Sequence, residues 1–150
     1  SPQIAGVDDA EELSQTFAAM AQLSFAGEEV GFACEVAAAC LHLGQLDFRR
    51  PRVSMAEAVD KYHETCTVVD DGPLEQAAAL LQVDVETFRH CILFRSMQIK
   101  GAGNAIEDIG LSADKAALSC HALAKMMYAL LFDWLVARIN VAMEADEAAG

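Results

Sequence analysis

The sequence predicts an all-α fold, mainly helical, interrupted by a small irregular β-hairpin loop. Three observations carry this. Alanine is abundant and the 150 residues hold only 3 prolines, a composition that favours helix. Apolar residues recur at spacings of three and four over most of the chain. One glycine-bearing stretch, MQIKGAGNAIEDIGLS at 97–112, loses that period. A length of 150 residues is about one domain's worth, and 54% hydrophobic residues suffice for a core.

The first helix starts near Asp8 or Asp9, which can cap exposed amides, while Glu11 and Glu12 suit the positive helix end. Leu13, Phe17, Met20 and Leu23 form its apolar stripe, and Gly27 breaks the pattern. Glu28 and Glu29 open a second helix with Phe32, Val36, Cys40 and Leu43 on one face and Gly44 as its stop. Leu46, Asp47 and Phe48 suit a short extended piece. Residues 49–72 read as a surface loop with room for a short strand or helical turn, and RRPR at 49–52 is a local basic patch. Pro73 suits the first turn of a third helix, with Leu74, Ala77, Leu80 and Leu81 as its buried side. Asp84 caps a fourth, carrying Phe88, Cys91, Ile92 and Arg95. The hairpin follows, its apolar pieces at 97–99 and 105–109 flanking Gly101, Gly103 and Asn104. Ser112 or Asp114 opens the longest helix, expected to reach about Met143 before a polar tail, ADEAAG. Its stripe of Leu123, Met127, Leu130, Trp134 and Val141 is widened by Met126, Leu131, Leu135 and Ile139, breadth that implies burial on several sides and asks for more cover than the other four helices are expected to give.

Charge narrows the partners. There are 10 Lys+Arg against 23 Asp+Glu, a formal net charge of -13. That argues against nucleic acid, whose phosphates need clustered cations, and against an anionic membrane surface. Charged residues interrupt the apolar stretches, so no membrane insertion is expected, and the N-terminus lacks the pattern of a signal peptide. The chain opens on Ser1 rather than methionine, which suggests processing or a piece of something longer. Five irregularly spaced cysteines read as reduced thiols in an intracellular protein.

No catalytic centre is visible. There is no GxxxxGK[ST], HExxH, CxxC or EF-hand loop. His63 and Cys66 have ligand-like spacing, but nothing nearby completes a four-ligand set. His90–Cys91 and Cys120–His121 are adjacent pairs that point about 100° apart on a helix, so one member of each is expected buried and the other near the surface. His42, near a helix C-terminus, reads as structural. Paired carboxylates at 11–12 and 28–29 are explained by helix starts.

One segment is more specific. ALAKMMYALLFDWLVARIN at 122–140 closely resembles the ALAKxxYxxLFxWLVxxIN helix of the myosin motor domain, matching at Ala122, Lys125, Tyr128, Leu131, Phe132, Trp134, Leu135, Val136, Ile139 and Asn140. Residues 6–48 resemble the same family's DDAEEF, "M..LGF..EE" and "ILAAILHLGN..F" stretches. Residues 74–92 resemble its "AA.LLGV....L..AL" segment, with Gln82 in place of the usual glycine. The resemblance spans nearly everything except about 49–72. It implies a segment of the upper 50-kDa actin-binding subdomain, within a larger P-loop NTPase motor fold.

The family's phosphate-binding and switch motifs are absent and would lie outside this chain. The resemblance therefore implies ATP and Mg in the parent motor, no cofactor or metal in this segment, and no ATPase activity of the 150 residues alone. Its implied partners are the actin filament and the remaining parts of the myosin head, and its implied location is cytoplasmic and cytoskeleton-associated. The actin-facing loop, at about 97–112, maps its contacts onto Gln98, Ile99, Lys100, Gly101, Ala102, Gly103, Asn104, Ala105, Ile106 and Glu107. The alternative is a stand-alone helical protein-interaction module without catalysis. A small hydrolase, resting on the scattered His and Cys residues, comes third.

Overall fold

The structure, a computed structural model, describes residues 6, 8–50, 65–98 and 106–149. Among them the order is α1 (Asp9–Gln22), α2 (Gly27–Leu43), β1 (Phe48–Arg49), β2 (Thr67–Val68), α3 (Gly72–Leu80), α4 (Val85–Leu93), β3 (Phe94–Gln98), β4 (Ile106–Gly110) and α5 (Ala113–Ala149). The chain is mostly helical, as expected, with two antiparallel two-stranded sheets, β1–β2 and β3–β4. It divides into two compact units, Ser1–Cys34 with Leu130–Gly150, and Glu35–Ala129.

Local chemistry sets most helix starts. The Asp8 carboxylate accepts from the Ala10 and Glu11 amides at 3.0 and 3.3 Å. At α2, Glu29 reaches back to accept from the Ala26 amide at 2.8 Å, half of a capping box. Asp84 Oδ1 accepts from both the amide and the hydroxyl of Thr87, each at 2.8 Å. Those bonds hold the Asp84 carboxyl below its ordinary range. At α3, Asp71 makes no side-chain cap; Asp70 accepts from the Gly72 amide instead, at 3.0 Å.

Two helix ends are less ordinary. The chain turns left-handed at Ser24 (φ 58°) and Gln82 (φ 55°). After α1, the Ser24 amide donates to Ala21 O and the Phe25 amide to Met20 O, both at 3.0 Å. After α3, the Gln82 amide donates to Ala79 O at 3.1 Å and the Val83 amide to Ala78 O at 3.0 Å. Both are Schellman closures, which glycine adopts without the Cβ cost of about 1 kcal/mol or more. In the resemblance patterns these two positions are glycines. Ser24→Gly and Gln82→Gly are each expected to stabilise the protein by about 1 kcal/mol, read as a higher urea midpoint at unchanged m. By contrast Gly44, expected as a helix stop, follows α2 without a left-handed φ.

The Glu35–Ala129 unit holds the main core. Leu43, Leu46, Cys66, Val68, Leu74, Ala77, Ile92, Leu93, Leu111, Ala116 and Cys120 form a single buried cluster, flanked by Phe48, Phe88, Leu123 and Met127. Arg89 of α4 meets Asp71 Oδ1 before α3 at 2.6 Å and Glu86 at 3.4 Å, tying the two short helices together. Leu74 and Ala77 are buried as expected, but Leu80 and Leu81 are only half-buried and Ala78 takes their place.

In the other unit Arg138 is the hub. Its Nε donates to Glu29 Oε1 at 2.8 Å and its Nη2 to Ser24 O at 2.7 Å. The guanidinium also sits 4.9 Å over the Phe25 ring. Trp134 meets Phe25 and Phe32 edge-on, with centroids at 6.1 and 5.2 Å. The hydrogen bond from Arg138, then the Ala26 amide, holds the Glu29 carboxyl below the usual carboxylate range. A depressed folded pKa gives stability that is full above the unfolded value and lost as pH falls through the folded one. Glu29→Gln is therefore expected to be less stable than wild type near neutrality. The gap should close in acid, in unfolding curves taken from pH 7 down to pH 3.

Several boundaries correct the sequence reading. Arg95, placed in the fourth helix, lies in β3, because α4 passes straight into the strand at Phe94 (φ -128°, ψ 151°). The Leu93 carbonyl accepts the Leu111 amide at 2.8 Å, so the ladder takes over where the helix stops. The residues expected as a polar tail continue α5 to Ala149, Ala and Glu being strong helix formers. The basic patch splits: Arg49 is in β1, Arg50 follows it, and residues 51–64 lie outside the described ones.

The breadth of α5 was expected to call for burial on several sides, with more apolar surface than the other four helices would cover. Accordingly Met126, Leu130, Phe132 and Val141 are exposed, and among the described residues Ala116, Cys120 and Leu131 are the ones buried on it. Among the described residues this one helix is long and apolar enough to cross a membrane by length and composition, which corrects the expectation that charges break every such stretch.

Candidate functional site

The hairpin is where the sequence placed its contact residues. β3 and β4 pair with Phe94 opposite Gly110, Arg95 opposite Ile109, Ser96 opposite Asp108, Met97 opposite Glu107 and Gln98 opposite Ile106. Its base is anchored in the core: Leu93 and Leu111 are buried, and the Cys66 amide donates to Leu111 O at 2.9 Å. A Cβ on Gly110 would meet Thr65 within 2.8 Å of its Cβ and 3.1 Å of its Cα, so the base closes there only because residue 110 has no side chain. Outward from this base, burial falls away. Phe94 is half-buried, Arg95 to Gln98 are exposed, and Ile106 is 73% exposed.

Of the ten expected contact residues, Gln98, Ile106 and Glu107 stand on the outer rungs of the strands. Residues 99–105, Lys100 among them, lie outside the described residues. The hairpin is thus anchored at its root, and its outermost described rungs carry two exposed apolar side chains, Met97 and Ile106, with Glu107 exposed as well.

Sequence reasoning missed the contacts at the root. Asp108 Oδ1 accepts from Ser96 Oγ at 2.6 Å, and its Oδ2 lies 3.2 Å from His90 Nε2 on α4. The His90 ring stacks on Phe94, with centroids 4.6 Å apart and planes at 13°. Cross-strand register brings Ser96 to Asp108, and the helix-to-strand junction brings His90 to both. Neither was readable while Arg95 was assigned to a helix.

Among the described residues the scattered thiols and imidazoles form no cluster of three or more. Cys66 and Cys120 are buried, Cys34 and Cys91 exposed, and Cys40 half-buried with its Sγ donating to Ala124 O at 3.5 Å. Burial, then the nearby Cys66, pushes the Cys120 thiol up to about 11, far from a nucleophile's range. His90 and Cys91 are both exposed, not one in and one out as expected, whereas Cys120 is buried and His121 exposed. His63 lies outside the described residues. Among the described residues no three His, Cys, Asp or Glu groups come together to hold a metal ion. A cavity of about 500 Å³ lies against Gln22, Leu23, Ser24, Arg138, Val141 and Met143. Its cation, Arg138, is already engaged by Glu29 and Ser24.

The chain is 32% identical over 150 residues to the high molecular weight form of myosin-1 of Acanthamoeba castellanii, covering 97% of this chain but 9% of that protein. It is 33% identical over 145 residues to myosin-5 of Arabidopsis thaliana, covering 94% of this chain and 9% of that one. It is 31% identical over 140 residues to human unconventional myosin-XV, covering 92% and 4%. The chain thus spans less than a tenth of the length of these three relatives. The sequence profile of the myosin head (motor domain) matches residues 1–150 from end to end, and the chain belongs to that family.

Proposed function

We propose that this chain is part of the upper 50-kDa actin-binding subdomain of an actin-based, ATP-driven cytoskeletal motor. In this reading the whole head has a P-loop NTPase motor fold and binds ATP and Mg through motifs outside these 150 residues. It works in the cytoplasm, associated with the cytoskeleton. Nucleotide state and filament affinity are then coupled between distant sites. This segment supplies helical scaffold and one filament-contacting arm. The observation that carries the reading is the hairpin, rooted in the core and carrying exposed Met97, Ile106 and Glu107 on its outer described rungs. Apolar side chains exposed on a core-anchored hairpin carry a solvation cost, and such placement suits a partner surface.

The exposed apolar face of α5 fits the same reading. We assign its cover to the remaining parts of the head, since the chain spans only 9% of the amoeba relative. Lys125, Asp133 and Arg138 punctuate that helix, and Arg138 is committed to Glu29, an arrangement suited to packing in protein rather than lipid.

The contact is tested in the intact head. Replacing residues 98–107 by a glycine-serine linker is expected to weaken binding to actin filaments at least tenfold in sedimentation. Unchanged sedimentation would remove the hairpin from the interface.

A further inference from the structure

We propose that His90, Ser96 and Asp108 form a clamp that fixes the angle at which the hairpin leaves α4, and that this angle sets the affinity of the head for actin. The inference rests on the proposed function for its second half only. Its first half stands on geometry.

No loop separates α4 from β3: Leu93 ends the helix and Phe94 begins the strand. The arm therefore turns on one junction. Backbone bonds at Leu93 and Leu111 hold its inner edge. Side chains hold its face. Asp108, on β4, uses one oxygen for Ser96 of β3 and the other for His90 of α4, so a single carboxylate joins three successive elements. The stacked Phe94 stops the His90 ring from swinging away. Alternation along the strand puts Phe94, Ser96 and Gln98 on one face with Asp108 and Ile106, and Arg95, Met97 and Glu107 on the other. The helix thus grips one face near the root and leaves the second face clear.

Leverage makes the clamp matter. From Phe94 to Gln98 the strand extends about 13 Å, so a tilt of about 10° at the root shifts the outer rung by about 2 Å. That exceeds what a well-packed contact tolerates. None of the three side chains needs to touch the filament. They are positioning residues.

The test uses the intact head. His90→Ala and Asp108→Ala are each expected to weaken nucleotide-free actin binding about threefold to fivefold, the size expected for half-exposed polar contacts. His90→Gln, which keeps a donor, should stay within about twofold of wild type, and Ser96→Ala should fall between. Amide hydrogen exchange along β3 and β4, read without actin, should quicken by a similar factor in the alanine variants but not in His90→Gln. Unchanged exchange in His90→Ala would overturn the clamp. Quicker exchange with unchanged actin affinity would overturn its link to binding. A wild-type head that exchanges as expected yet never binds actin would overturn the proposed function and, with it, that link, while leaving the clamp itself standing.

Discussion

Leu74→Ala is expected to destabilise the protein by about 3 kcal/mol, within the range of about 2 to 5 for a buried leucine truncated in a closed core. Leu74 is fully buried, at 0% exposure, and sits in the cluster with Leu43, Ala77, Ile92, Leu93 and Ala116. The α3 that carries it is only 9 residues long, so it cannot be stable by itself and depends on this anchor. Arg89 fastens the same helix through Asp71 at a half-exposed site, and that pair cannot replace a lost core residue. The shift should appear in the urea midpoint, and Leu80→Ala, at a half-buried position, should cost clearly less. Equal costs at the two positions would mean that the buried side of α3 is not the one described.

Trp134→Ala should have an effect of similar size, about 3 kcal/mol, through a different route. Trp134 is half-buried, but it is the ring that Phe25 and Phe32 both meet edge-on. Phe25 in turn lies under the Arg138 guanidinium. Removing the indole opens a void beside two aromatic faces and loosens the stage on which Arg138 reaches Glu29 and Ser24. Trp134→Phe should recover more than half of the loss. A double variant, Trp134→Ala with Arg138→Ala, should lose less than the two single losses added, because the residues share Phe25. Strict additivity would mean the two act independently.

Helix starts were legible because their chemistry is local. Asp8 and Asp84 cap within three residues, and Glu29 reaches back three to Ala26. Helix ends were less so. Ser24 and Gln82 occupy left-handed closures that composition rules assign to glycine, so nothing in the two residues themselves signals a stop. The end of α4 was misplaced by a purely tertiary event, the capture of the Leu93 carbonyl by Leu111. Periodicity gave the stripe of α5, and its breadth already asked for more cover than the other four helices would give, as the exposed Met126, Leu130 and Val141 bear out.

The candidate site divides along the same line. The glycine-bearing stretch announced a hairpin, and β4 lies where the period of three and four fails, but β3 begins three residues before that stretch, at Phe94. The contacts that orient it did not announce themselves. His90 and Asp108 are far apart in sequence and meet only through register, and Arg138 meets Glu29 across a separation of 109 residues. Ordinary residue types at such distances leave no local mark, whereas the long matched helix did, because its order of aromatic, apolar and polar positions belongs to one family.

The central claim is that these 150 residues are a working piece of an actin-based motor. It is tested most directly by spinning the intact head with actin filaments, first without nucleotide and then with MgATP. The account predicts that the head pellets with the filaments in the first tube and stays in the supernatant in the second. A head that remains in the supernatant in both, or pellets equally in both, would contradict it.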